Sequence, residues 1–384
     1  MVYRIGRVVI CLLLFHALPG CTTEPQPIIP IIPIEPEPVD TTTHEYAWEY
    51  HYFGSSQIAS SFFRDVYVSA ENDIWMVGYI EPDSTLPSTP HGYTCTFINA
   101  IHFDGKDFTS YCMEGMKLNG NVNSVHVYGV TGRDASVLLV GSLGITELYK
   151  DTMIFHDLRE LSGQWLGYEK ITKTKFGNLL LHGGNGFLAR IEQDHPTAPI
   201  ALTRIPLPTE VAVATVTEVT ESEYYIGCWW MDSSEYHFYH WKDGVLDELE
   251  YSRVGPYSRT FCTGLWSSDE FVFGANPPYL YQRSIADTTN WQFIEMNASL
   301  GVPAIGVPMA MAGRANNDIF IAGQVGTVIH YNGRSFHQYE EFQDPALDAQ
   351  FFNVKVTNNR VYLVGKCRVA GRARAMLIIG TRKR

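Results

Sequence analysis

An apolar run closed by glycine recurs seven times along this chain, and that recurrence limits the fold more than any other feature. NDIWMVG ends at Gly78, ASVLLVG at Gly141, GNLLLHG at Gly183 and SEYYIG at Gly227. DEFVFG ends at Gly274, NDIFIAG at Gly323 and NRVYLVG at Gly365. The intervals are 63, 42, 44, 47, 49 and 42 residues. A fixed period of this size is the mark of a repeat architecture, in which each unit buries its apolar faces only against its neighbours. The first interval is long because EPDSTLPSTPHGYTCT, at 81–96, reads as an inserted loop.

Each unit carries four short runs of alternating apolar and polar residues, the pattern of strands. A strand such as FRDVYVS or FNVKVT precedes the glycine-closed run, and one such as NAIHFDG or TVIHYNG follows it. Asp104-Gly105, Asp243-Gly244 and Asn332-Gly333 supply tight hairpin turns before a last strand. Four-stranded units of about 45 residues define propeller blades. The fold class is therefore all-β, a seven-bladed β-propeller of four-stranded antiparallel blades spanning 46–384. Six or eight blades are the alternatives, because the units at 164–210 and 254–300 are the weakest. The seventh unit has only three strands before the chain stops, so the N-terminal strand WEYHYFG, 48–54, is expected to close the ring. Within NDIWMVGY the apolar side chains should alternate between the two faces of a blade, with Gly78 letting the strand end.

The units resemble bacterial propellers with blades of the "DIWAVG … HYDGxxW" type, distantly like kelch, WD40 and photosystem II assembly-factor repeats. The resemblance covers about 46–381 and concerns architecture; a fold of this kind carries no function by itself.

The N-terminus carries an address. Arg4 and Arg7 precede an apolar run from Val8 to Phe15, too short to span a bilayer as a helix and proportioned like a secretory signal. Leu18-Pro19-Gly20-Cys21 resembles the lipobox of bacterial lipoproteins, with Pro19 a departure from the usual small residue. The resemblance implies a signal peptide over 1–20 and lipidation of Cys21 by diacylglyceryl and N-acyl chains, enough for stable anchoring. An ordinary signal peptide and an uncleaved anchor are the alternatives. Thr22 is not the Asp that retains lipoproteins at the inner membrane, so the outer membrane of the cell envelope is expected, with the leaflet open. PQPIIPIIPIEPEPV, at 25–39, holds six prolines and reads as an extended polyproline II stalk, within a linker over 21–45.

Composition excludes further classes. The net charge is −13, or −15 without residues 1–20, which argues against general nucleic-acid binding. Nine of the 28 basic residues fall in the last 30 positions, either a docking face for an anionic partner or solvated turns and tail. Cys95, Cys112, Cys228, Cys262 and Cys367 remain after the signal and lipid cysteines; an odd count leaves one unpaired, and Cys95 with Cys112 is the favoured bridge.

No catalytic signature appears: the sialidase Asp box, GxSxG, HExxH and calcium-loop patterns are all missing. HGGNGF at 182–187 joins two strands and reads as a turn, not a phosphate cradle. His237 and His240 point to opposite faces of a strand, so no metal or other cofactor is expected. The binding candidates fall into two groups. Arg64, Asp65, His126, Lys170, Arg259 and Lys355 are polar residues of innermost strands, at the axial channel. Trp229, Trp230, Tyr236 and Trp241, with Phe238, could stack on a sugar or peptide, or pack between blades. The favoured function is a monomeric, membrane-anchored, non-catalytic lipoprotein whose propeller binds an unknown protein or glycan. The alternatives are a glycan-active enzyme using paired acids among Asp65, Glu169 and Glu218, and an assembly factor for an envelope complex.

Overall fold

A computed structural model describes residues 42–56, 61–83, 97–112, 117–118, 121–122, 127–133, 136–141, 144–150, 152–162, 170–230, 236–249, 264–276, 278–286, 291–296 and 306–383. The expected signal peptide over 1–20, Cys21 and the proline-rich segment 25–39 lie outside them. Seven four-stranded antiparallel sheets make up the fold, six in sequence order: 62–111, 127–157, 170–204, 211–248, 265–295 and 308–338. We number these blades 1 to 6. Blade 7 joins Gln350–Val356, Arg360–Val369 and Arg372–Arg382 to the N-terminal strand Tyr46–Ser56, which pairs antiparallel along Arg372–Arg382. The seven-blade count and the N-terminal closure thus both hold.

The first strand of each blade is the innermost. Phe62–Ala70 of blade 1 touches both Val127–Arg133 of blade 2 and Gln350–Val356 of blade 7, and Val127–Arg133 touches Lys170–Lys173 of blade 3. The core is divided into seven apolar clusters, one for each blade-to-blade interface, including the one between blades 7 and 1. The alternation in the repeated octet explains how one strand serves two clusters. Ile74 and Met76 pack toward blade 7, and Trp75 and Val77 toward blade 2. Ile319 and Ile321 likewise face blade 5, while Phe320 and Ala322 face blade 7.

The closing glycine has a different task from the one read in the sequence. The strand Asp73–Ile80 runs past Gly78, and Arg360–Val369 runs past Gly365. Gly78, Gly323 and Gly365 pair with Phe63, Pro308 and Phe351, and one residue is inserted next in the innermost strand: Arg64, Met309 and Phe352. Such a bulge bends the inner strand and re-aims its side chain. It also brings backbone close, so a Cβ on Gly365 would lie 1.9 Å from the Gln350 carbonyl oxygen, and on Gly78 2.1 Å from that of Phe62. The repeat is glycine because the inner strand bulges against it.

The turns follow their residues. Asp243 and Gly244 adopt φ of 49° and 88°, the left-handed pair that a tight hairpin needs. HGGNGF is a hairpin turn, with the N–H of Phe187 donating to the Gly184 carbonyl. Cys112 is disulfide-bonded to a partner outside the described residues, whereas Cys228 and Cys367 are buried free thiols.

Two of the basic residues near the C-terminus, Arg360 and Arg382, join blade 7 to its neighbours. Arg360 of blade 7 donates to the Glu71 carbonyl at 2.9 Å and to Asn72 Oδ1 at 3.0 Å in blade 1. Arg382 reaches Asp318 of blade 6 and the hydroxyl of Tyr46, while Arg368 pairs with Asp348.

Candidate functional site

One end of the ring is built by the starts of the innermost strands, and its side chains come from the bulges. Arg64 is the inserted residue of blade 1, and Phe352 that of blade 7. The Arg64 guanidinium lies 4.7 Å from the centroid of the Phe352 ring and 5.2 Å from that of Phe62. Phe62 also stacks on Tyr79 at 6.1 Å, and Tyr79 lies 4.2 Å from Phe97. All five side chains are half-buried. A cation held over aromatic faces while still partly accessible can contact a ligand without first being desolvated alone.

Asp65, the next residue, is buried. Its Oδ1 accepts from the N–H of Val66 at 2.8 Å and from the side-chain amide of Asn353 in blade 7. Its Oδ2 accepts from the N–H of Val130 in blade 2 at 3.0 Å. One carboxylate therefore ties three blades together. Burial pushes its pKa up, opposed by the ammonium charges of Lys170 and Lys355 and by the two backbone N–H groups. Lys170 belongs to blade 3 and Lys355 to blade 7, so charges from blades 1, 3 and 7 act on one another across the axis. Burial pushes the Lys170 pKa down; Asp65 opposes this, and Lys355 and Arg64 add to it. Opposite Lys170 in the ladder is His182, held at about 3 by burial and by the Lys170 charge. His182 donates Nδ1–H to the Val213 carbonyl at 3.3 Å, and its Nε2 accepts from Thr172 Oγ1 at 3.1 Å, a neutral ring locked in place.

Arg64, Asp65, Lys170 and Lys355 all lie on innermost strands, and their charges act on one another. His126 and Arg259 lie outside the described residues. The aromatic segment 224–241 is not one platform. Trp229 pairs in register with Tyr236 at one end of its hairpin, and Tyr224 with Trp241 at the other, five residues away or roughly 17 Å. Trp241 packs against Tyr224 in the cluster between blades 3 and 4, and Phe238 is buried between blades 4 and 5. Trp229, Trp230 and Tyr236 are placed here by backbone only: they sit where strands meet the same end of the ring as Arg64.

A second constellation, unnoticed in the sequence, recurs in three blades. Asp73 holds His102 at 2.6 Å, Glu223 holds His240 at 2.8 Å, and Asp318 holds His330 at 3.0 Å. In each case an aromatic residue two positions after the acid stacks on the histidine: Trp75 at 4.2 Å, Tyr225 at 4.7 Å, Phe320 at 4.3 Å. The signal was an aromatic two positions after an acid, followed in the next strand by the histidine of IHF, YHW or IHY, which pairs in register with that aromatic. Ser69 completes a serine–histidine–aspartate set in blade 1, yet its hydroxyl donates to Asp73 and not to the histidine. In a catalytic triad the serine hydroxyl would instead face the imidazole. Asp65 and Glu218 also act apart: Glu218 Oε1 accepts from Asn178 of blade 3 at 2.7 Å, while Asp65 is bound to blades 2 and 7. Glu169 is outside the described residues. Among the described residues no cluster of three or more His, Cys, Asp or Glu is placed to hold a metal ion.

The fold and this end of the ring define a seven-bladed β-propeller with a cationic axis and an aromatic collar. No protein-family model matches the sequence, and no curated protein matches it. Among solved structures, the chain is similar to YCF48 bound to D1 peptide, with a TM-score of 0.61 and 11% identity over 89% of this chain and 100% of that one. It is also similar to the WD40 β-propeller domain of Doa1, with a TM-score of 0.55 and 9% identity over 88% and 98%. At these identities the likeness is one of fold.

Proposed function

We propose that the chain is a lipid-anchored protein of the cell envelope whose propeller is a non-catalytic binding module for a polypeptide segment, taken at the end of the ring bearing Arg64. The observation that carries this reading is the Arg64 guanidinium set between Phe62 and Phe352, two half-buried rings from neighbouring blades. This surface offers an extended chain aromatic contacts and a charge-assisted donor together. YCF48, which shares the fold, has been captured with a peptide, and that supports a polypeptide over a glycan. The anchor rests on the lipobox-like Leu18-Pro19-Gly20-Cys21 and on the proline-rich stalk, which would hold the ring away from the membrane.

Panning a random peptide library on the purified, membrane-extracted chain tests the reading. Enriched peptides should lose most of their affinity for the Phe62→Ala/Phe352→Ala variant while the unfolding temperature stays near that of the parent. A library without enrichment, or peptides indifferent to both rings, would remove it. Cys21→Ser tests the anchor separately, by moving the chain from the membrane to the soluble fraction.

A further inference from the structure

Arg283 of blade 5 is only 5% exposed, yet among the described residues its side chain makes no ion pair and no hydrogen bond. Its guanidinium carbon lies 5.4 Å from the ring centroid of Tyr225 in blade 4 and 5.9 Å from that of Trp291 in its own blade. It therefore stands in the wall between blades 4 and 5. Its neighbour Ser284 pairs with Phe271, where the second strand of the blade begins, whereas Arg64 lies where such strands finish. Arg283 is thus at the opposite end of the ring from Arg64.

The comparison with Arg314 is instructive. That guanidinium lies 5.8 Å from the ring of Phe320, the aromatic of the blade 6 acid–histidine set, and Asp318 of the same set neutralises it through both oxygens at 2.8 Å. Arg283 lies over Tyr225, the corresponding aromatic of blade 4, without the acid. Glu223, the acid of that set, is committed to His240 at 2.8 Å and to Lys242 at 3.2 Å. Aromatic faces offset part of a cation's charge but leave its in-plane N–H groups unused. Nε of Arg283 is sealed off without an acceptor, and so is the hydroxyl of Tyr225. The two Nη groups are not sealed, and they form the open edge of the guanidinium. Enclosed polar groups in folded proteins are almost all paired, and an enclosed cation without a counter-charge is costly.

We propose that Arg283 is the anchor of a second binding site, between blades 4 and 5, that takes a ligand carboxylate end-on against its Nη pair. The planar fork matches the two oxygens of a carboxylate, and Tyr225 and Trp291 fix its orientation. A singly charged group suits the site, because one arginine is offered and Glu223 lies two residues from Tyr225 on the same face of the strand. The site stands apart from the peptide-binding end and does not depend on it.

The test follows the unfolding temperature of the full chain in detergent as acetate or, separately, inorganic phosphate is added to a buffer free of other oxyanions. A saturable rise with acetate is expected, and Arg283→Met should weaken the apparent affinity by about tenfold or more, the scale of a charge-assisted hydrogen bond. Arg204→Met removes an exposed arginine 5.2 Å from the Phe187 ring and should respond as the parent does. If Arg283→Met fails to fold, Arg283→Lys decides the matter: it keeps the charge without the fork, and its response to acetate should fall. A rise that never saturates, or that survives at full affinity in the Arg283 variants, overturns the proposal. Tighter binding of phosphate than of acetate would overturn the assignment to a carboxylate.

Discussion

Nδ1 of His44 lies 2.9 Å from Nδ1 of His330, joining the start of the described chain to blade 6. His330 donates Nε2–H to Asp318, so its Nδ1 accepts from His44, and His44 Nε2 accepts from Ser335 Oγ at 3.0 Å. Burial holds the His44 pKa near 4 and also lowers that of His330. Arg314 and Arg382 further disfavour a proton on His330, His337 disfavours one on His44, and Asp318 favours both.

The sign follows from the lowered values. Between about 6.5 and 4 the unfolded histidine binds a proton that the folded one does not, so stability falls as pH falls through that window. The contact is therefore complete above pH 6.5 and weakened by pH 4. Hydrogen-exchange protection of residues 42–46 should drop between pH 7 and pH 4.5 while blade 5, which carries no histidine, stays protected. His44→Gln should flatten that dependence. Equal protection at both pH values would contradict the assignment.

Asp65 gives a stability prediction separate from the binding one. Replacement by Ala leaves the buried N–H groups of Val66 and Val130 without acceptors, each costing about 1–3 kcal/mol. Asn353→Ala removes only one donor and should cost less. Denaturant unfolding of the two variants should show that order, with Asp65→Asn between the parent and Asp65→Ala.

Gly365→Ala tests the bulge. A Cβ 1.9 Å from the Gln350 carbonyl oxygen cannot be met by a side-chain rotation, because the obstacle is backbone. A loss of about 1–3 kcal/mol is expected, the range for overpacking. Gly371→Ala, whose Cβ would meet nothing within 4 Å, should be destabilised only through its φ of 75°. If Gly365→Ala unfolds no earlier than Gly371→Ala, the bulge is not what holds that position to glycine.

These glycines also show why the architecture could be read from sequence and the site only in part. Gly78, Gly323 and Gly365 answer the same local steric demand in blades 1, 6 and 7, so the repeat survives there as a one-letter signal. The alternation of Ile74, Trp75, Met76 and Val77 is equally local and gave the two blade faces. The axial candidates could be named by position, since each lies on the first strand of its unit. Their pairings were not legible, because Asp65, Val130 and Asn353 meet only once the ring closes. The aromatic segment could be divided between packing and surface only with the pairing in hand: Trp229 and Trp241 are near in sequence, but the hairpin sends them to opposite ends. The acid–histidine–aromatic set was present as letters and passed over, because the acid and the histidine lie 29, 17 and 12 residues apart and only the pairing of Trp75 with His102, Tyr225 with His240 and Phe320 with His330 unites them.

Closure of the ring supplies the last prediction. Asp318 is nearly inaccessible, yet it takes both Oδ contacts from Arg314 at 2.8 Å, a third from His330 and a fourth from Arg382 at the end of blade 7. Arg314 Nη2 also donates to the Arg360 carbonyl at 3.1 Å, so one acid organises the joint between blades 6 and 7. These partners lower the Asp318 pKa despite its burial. The stability it provides is present above the ordinary carboxylate range and is lost only as pH falls through the lowered value. Removing the charge at neutral pH strands the Arg314 guanidinium, which is mostly buried, and breaking a buried pair in this way costs roughly 3–5 kcal/mol. Asp318→Ala should therefore lower the unfolding midpoint more than Arg382→Ala, because Arg382 can turn to solvent and Arg314 cannot. It should also release the strand Tyr46–Ser56 first, seen as protease cleavage near residue 45 before the ring unfolds. Cleavage appearing only together with global unfolding would mean that the joint and the clasp are held independently of this carboxylate.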